Sequence, residues 1–97
     1  MLTNLTVTEF LERTAAGEPL PGGGCVAALA GACGAALAQM VAGLTAGRAQ
    51  FADVTPAMEA MARRAENLRR DLLAAVERDA AAYAAVMEAL RLPKATP

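Results

Sequence analysis

The chain has 97 residues, which fits one small domain, and its nine Lys and Arg nearly cancel ten Asp and Glu to a formal net charge of -1, so charge says little about partners. One Tyr and two Phe offer no stacking platform for bases, so nucleic-acid binding is disfavoured. The 56% apolar share comes largely from alanine, which favours helices but buries little area per residue, so each large apolar side chain matters.

Thr6-Val7-Thr8-Glu9 reads as a capping box opening a first helix that carries Phe10 and Leu11 and ends at Gly17 and Pro19. Residues 18 to 24 then form a loop closing on Pro21-Gly22-Gly23-Gly24. Glycines there open dihedrals and close approaches denied to other residues. A helix beginning just after them aims its free N–H groups and positive dipole end into the loop, which suits an anionic ligand.

That second helix is expected from about Cys25 to Thr45, with its larger residues at 26, 29, 33, 37, 40, 41 and 44 close to a heptad pattern. Its other faces are Ala and Gly, and a helix apolar or small all round is expected to be buried all round. The uncharged interval between Glu18 and Arg48 is long enough to span a bilayer. Its Ala, Gly and Gln39 content drives insertion weakly, so a buried helix of a soluble protein is expected and a membrane is not. No basic segment precedes the apolar run as a secretory signal would require.

Cys25 and Cys33 are eight residues apart, roughly 12 Å along a helix and too far for a disulfide. A reducing cytoplasm is the expected location. Cys25 at a helix N-terminus has the setting of a nucleophile, but the chain has no histidine to act as its base, and a small residue in a tight turn is the plainer reading. Residues 47 to 54 break the pattern, and Thr55-Pro56 supplies a cap and a first-turn proline for a third helix reaching about Leu92. No strand pattern or internal repeat appears. The expected architecture is all-α: one domain over 1–97, an antiparallel bundle of about three helices completed by oligomerisation.

At about 100° per residue, Met58, Met61, Ala65, Leu68, Leu72, Val76, Tyr83, Val86 and Leu90 share one sector of the third helix, and Asp79 falls in its middle. A carboxylate facing packed apolar surface is costly unless paired, and burial raises its pKa toward values useful in proton transfer. Asp79 therefore either pairs with an arginine such as Arg48 or with a helix end, or lines a cleft as a functional acid. Tyr83, one turn on, is placed to donate into that cleft or to sit half-buried in the core.

These pieces, in order, resemble the cyclodeaminase/cyclohydrolase family, meaning the cyclodeaminase domain of formiminotransferase-cyclodeaminase and the stand-alone methenyltetrahydrofolate cyclohydrolases. The resemblance is carried by Phe10-Leu11, by Pro21-Gly22-Gly23-Gly24 with the small-residue run Val26 to Ala32, and by Met40-Val41 through Leu44-Thr45. Asp79-Ala80-Ala81-Ala82-Tyr83 and Arg91-Leu92-Pro93-Lys94 complete it. Cys25 stands where the family commonly has Ser, and the chain covers about the first half of the family's domain.

What the resemblance implies is an all-helical dimeric enzyme acting on a one-carbon tetrahydrofolate without a metal or a tightly bound cofactor. It would either release ammonia from the 5-formimino form or hydrate the methenyl form. Asp79 would move protons with Tyr83 beside it, and Pro21, Gly22, Gly23, Gly24, Cys25, Arg48 and Lys94 would contact a substrate whose glutamate tail is anionic. The competing expectation is a non-catalytic helical module, a short family member that keeps the N-terminal helices for dimerisation.

Overall fold

The structure, a computed structural model, describes residues 1–92, which leaves Lys94 outside the described residues. Among these the chain is all-α. After a 3-10 turn at Leu2–Asn4 come α1 (Val7–Ala15), α2 (Gly23–Thr45), a second 3-10 turn at Ala49–Phe51, and α3 (Thr55–Arg91).

The capping box forms as expected. Thr6 Oγ1 accepts from the Glu9 N–H at 3.0 Å, and Glu9 Oε1 accepts from the Thr6 N–H at 3.0 Å. The Glu9 carboxyl is held below its ordinary value of 4.5, first by that backbone N–H and then by the Thr6 hydroxyl. Gly17 beyond the helix end has φ +72, and Gly47 in the α2–α3 turn has φ +84, conformations that favour glycine.

α2 begins two residues before the expected start. Gly22 is extended (φ -92, ψ -178) and serves as N-cap, and its carbonyl accepts the first helical bond from the Val26 N–H at 3.1 Å. Gly23 and Gly24 are thus the first turn of the helix rather than the end of the loop. α3 starts at Thr55 rather than after it, because the Thr55 hydroxyl is engaged elsewhere. It donates to the Phe51 carbonyl at 3.1 Å and accepts from the Gly47 N–H at 3.2 Å, so it pins the interhelical turn and caps no helix. From there α3 runs unbroken for 37 residues, roughly 55 Å.

α2 and α3 form an antiparallel hairpin whose contact stripe on α2 consists of small residues, and within the single chain α2 is buried on that side rather than all round. The buried residues of α2 are Cys25, Ala28, Ala32, Ala35 and Ala42, at heptad spacing. Of the larger residues on its heptad pattern, Val26 and Leu29 pack against the core, whereas Leu37, Met40, Val41 and Leu44 are each more than half exposed and Cys33 is exposed. Small side chains let helices approach closely, so α3 settles on the alanine stripe and leaves the bulky one outside. Leu72 Cδ1 comes so near Gly31 that an added Cβ would lie 3.1 Å away.

One end of the hairpin carries the core. Phe10 of α1, Cys25 and Ala28 of α2, and Val76 and Ala80 of α3 form a buried cluster with Leu2, Leu5, Leu20 and Leu29 around it. The Cys25 thiol donates to the Val76 carbonyl at 3.2 Å, and the Thr3 N–H donates to Glu77 at 2.8 Å, tying the N-terminal segment to α3. The molecule is long, 72 × 30 × 16 Å, with a radius of gyration of 19.0 Å. A compact domain of this length has roughly 13 Å. By length and a mean hydropathy of 1.8, α2 is capable of crossing a membrane.

Candidate functional site

The candidate site lies where the N-terminus of α2 meets the third quarter of α3. Gly24, in the first turn of α2, sits under the Asp79 side chain so closely that an added Cβ would fall 2.7 Å from Asp79 Oδ2. Any residue but glycine there would displace the carboxylate. Leu20, Gly22, Gly23, Gly24, Asp79 and Tyr83 line a hollow of about 280 Å³ at this junction.

Asp79 is exposed at the mouth of that hollow, not buried among apolar neighbours. Its sector of α3 extends past the width of α2, so the positions around it are covered on one side only. Among the described residues it forms no hydrogen bond or ion pair. Tyr83, 40% exposed, lies one turn along the same row.

The Gly-rich junction differs from the expected anion cradle in one respect. The negative group nearest the first turn of α2 is the Asp79 carboxylate itself, attracted by the helix's positive end. A ligand's anionic part would meet repulsion there, whereas protonated ring nitrogens or amide N–H groups would find an acceptor.

Of the other expected site residues, Pro21 is buried beneath the loop. Cys25 borders the hollow, but its thiol is turned into the core toward the Val76 carbonyl; it occupies a helical turn packed on α3 rather than the tight turn expected. Arg48 lies in the α2–α3 turn, the full length of α2 away, roughly 34 Å by helical rise. Within one chain it neither pairs with Asp79 nor reaches the hollow.

A residue passed over in the sequence is Arg91. It lines a second hollow, about 260 Å³, that shares Leu20 and Tyr83 with the first. The signal was present in the four-residue spacing of Asp79, Tyr83, Met87 and Arg91. A larger trough of about 570 Å³ runs along the flank by Met61, Arg64, Leu68 and Asp71, but it is shallow and brings no acid, hydroxyl and helix end together.

The fold and site together define a helical protein with a hollow at a glycine-led helix start, overlooked by one acid without a partner among the described residues. The chain belongs to the formiminotransferase-cyclodeaminase family, which it matches over residues 6–97. It is 42% identical over 96 residues to the methenyltetrahydrofolate cyclohydrolase of Methylorubrum extorquens, a match covering 99% of this chain and 46% of that protein. It is 40% identical over 96 residues to the formimidoyltransferase-cyclodeaminase of Mus musculus, covering 99% of this chain and 18% of that one. With the corresponding protein of Gallus gallus it shares 36% over 88 residues, 91% of this chain and 16% of the relative. The chain spans about half the length of the cyclohydrolase and less than a fifth of the vertebrate proteins.

Proposed function

We propose that this chain supplies the glycine-loop half of a folate one-carbon site, for methenyltetrahydrofolate hydrolysis or formiminotetrahydrofolate cyclodeamination. The observation that carries the reading is the Asp79 carboxylate held over Gly24, in a hollow shared with Tyr83. In the hydrolytic direction, water adds to the methenyl carbon while Asp79 takes its proton. That proton passes to N5 as the C–N5 bond breaks, the formyl group stays on N10, and the second water proton goes to solvent. In the deaminating direction N10 adds to the formimino carbon. The N10 proton and one from solvent then leave with the departing nitrogen as ammonia. Tyr83 orients the attacking group by donating or accepting at its hydroxyl.

Mixing the chain with methenyltetrahydrofolate and following the substrate's absorbance tests this. Turnover above buffer is expected, and Asp79→Asn lowers it by at least about a hundredfold with helicity unchanged. Full activity in Asp79→Asn refutes the acid-base assignment.

The second reading, a non-catalytic helical assembly module, is favoured by the bulky residues of α2 left outside. Both readings include self-association as a homodimer or higher homo-oligomer, because Leu37, Met40, Val41 and Leu44 are each more than half exposed on one helix and a second copy would cover them. Within this reading α2 faces a second helix rather than lipid, since its partner α3 carries charge along its outer face. A cytoplasmic setting agrees with the two free cysteines, one of them exposed.

A further inference from the structure

The two hollows beside Leu20 and Tyr83 have one floor. Asp79, Tyr83, Met87 and Arg91 follow one another at four-residue intervals, and such an i, i+4 row forms a continuous ridge winding gently about a helix. The first hollow takes Asp79 and Tyr83 as lining, and the second takes Tyr83, Met87 and Arg91 together with Glu88, the acid that Arg91 faces. Pro19 and Leu20, from the loop before α2, overhang the second. Along roughly 18 Å of helix axis the row therefore presents an acid, a phenol ring, a thioether and a cation in sequence.

We propose that this row is the bed of a single elongated ligand and that Arg91 binds the ligand's terminal carboxylate. The inference rests on the folate reading and adds the direction in which the substrate lies. The pterin end, rich in N–H donors, meets Asp79; the aminobenzoyl ring lies over Tyr83 and Met87; the glutamate carboxylates reach Arg91. The reverse direction would set the ligand's carboxylates against Asp79 at the glycine junction. Arg91 is the one cation lining either hollow among the described residues. Its present companion, Glu88, stands 4.0 Å from Nη1, and both side chains are about three-quarters exposed, so the pair is weakly held and the guanidinium is free to turn to a better acceptor.

The test compares 5-formyltetrahydrofolate with 5-formyltetrahydropteroate, which lacks the glutamate, by isothermal titration calorimetry on the whole chain. The folate is expected to bind about tenfold more tightly than the pteroate, from a charge-assisted hydrogen bond at a partly solvated site. Arg91→Gln brings that ratio close to one with pteroate affinity unchanged, Arg91→Lys keeps part of it, and Glu88→Gln raises it by removing a competing acid. Circular dichroism checks that the last turn of α3, which a cation also steadies, is intact in each variant. The proposal is overturned if Arg91→Gln leaves the ratio as in the wild type, or weakens both compounds equally. Should neither compound bind the wild-type chain, the folate reading itself fails and takes this one with it.

Discussion

The two ends of the α2–α3 hairpin are made from the same pair of alanine-rich helices, yet they are finished differently. At the glycine end, α1, the N-terminal 3-10 turn and the loop before α2 all fold back, giving a buried cluster around Val76 and the hollows beside Asp79 and Tyr83. At the turn end, only a short 3-10 segment joins the helices, and Leu37, Met40, Val41, Leu44, Phe51 and Val54 remain exposed. The difference separates two tasks. A close-packed stripe of small residues fixes how the helices lie, and what is laid over that stripe decides where a ligand or another chain can bind.

The comparison breaks most readily at Phe10, whose ring alone buries α1 against the hairpin. Phe10→Ala is expected to cost about 3 kcal/mol and to release α1, seen as a lower thermal midpoint and lost protection of residues 7–15 in hydrogen exchange. A smaller loss would mean that α1 is held by something other than its one buried side chain.

The turn end answers oppositely. Leu37→Glu combined with Leu44→Glu should change the stability of the single chain by only about 0.5 kcal/mol, since both side chains are mostly in water. It should abolish self-association in sedimentation equilibrium. A wild-type chain that is monomeric at high concentration removes the basis for that expectation.

Two glycines of α2 sharpen the contrast further. Nothing lies within 4 Å of a Cβ added at Gly34, so Gly34→Ala should stabilise the chain by about 1 kcal/mol through helix propensity, read by denaturant melts. At Gly24 the same change gains the same propensity but pushes Asp79 aside, so Gly24→Ala should fold normally and lose ligand binding and turnover.

The smallest effect is at the α1 start. The Glu9 carboxyl has its pKa lowered in the folded chain, so its contribution is present above the ordinary carboxylate value and lost as pH falls through the lowered one. Acid should fray α1 first in an NMR pH titration, and Glu9→Gln should remove that pH dependence.

Local chemistry made much of this legible in advance. Thr6 and Glu9 announced the α1 cap, Gly17 its end and Pro56 the first turn of α3, because each residue type has few backbone roles. The core face of α2 was hidden for a physical reason. Large apolar residues ordinarily mark the buried side of a helix, but here Ala28, Ala32, Ala35 and Ala42 pack because they are small, and of the larger residues at 26, 29, 33, 37, 40, 41 and 44 only Val26 and Leu29 pack against the buried cluster. Asp79 stood out as an acid within an apolar sector. Its exposure did not, because the sector is wider than the single helix that covers it. Arg48 was expected as a partner of Asp79 or as a substrate contact; the antiparallel turn carries it to the far end of α2.

The most direct test of the account is an NMR titration of the chain with 5-formyltetrahydrofolate. Amide and side-chain shifts concentrated at Gly22, Gly23, Gly24, Asp79 and Tyr83 are the predicted result. Shifts confined to Leu37 through Arg48, with the glycine end silent, would contradict it.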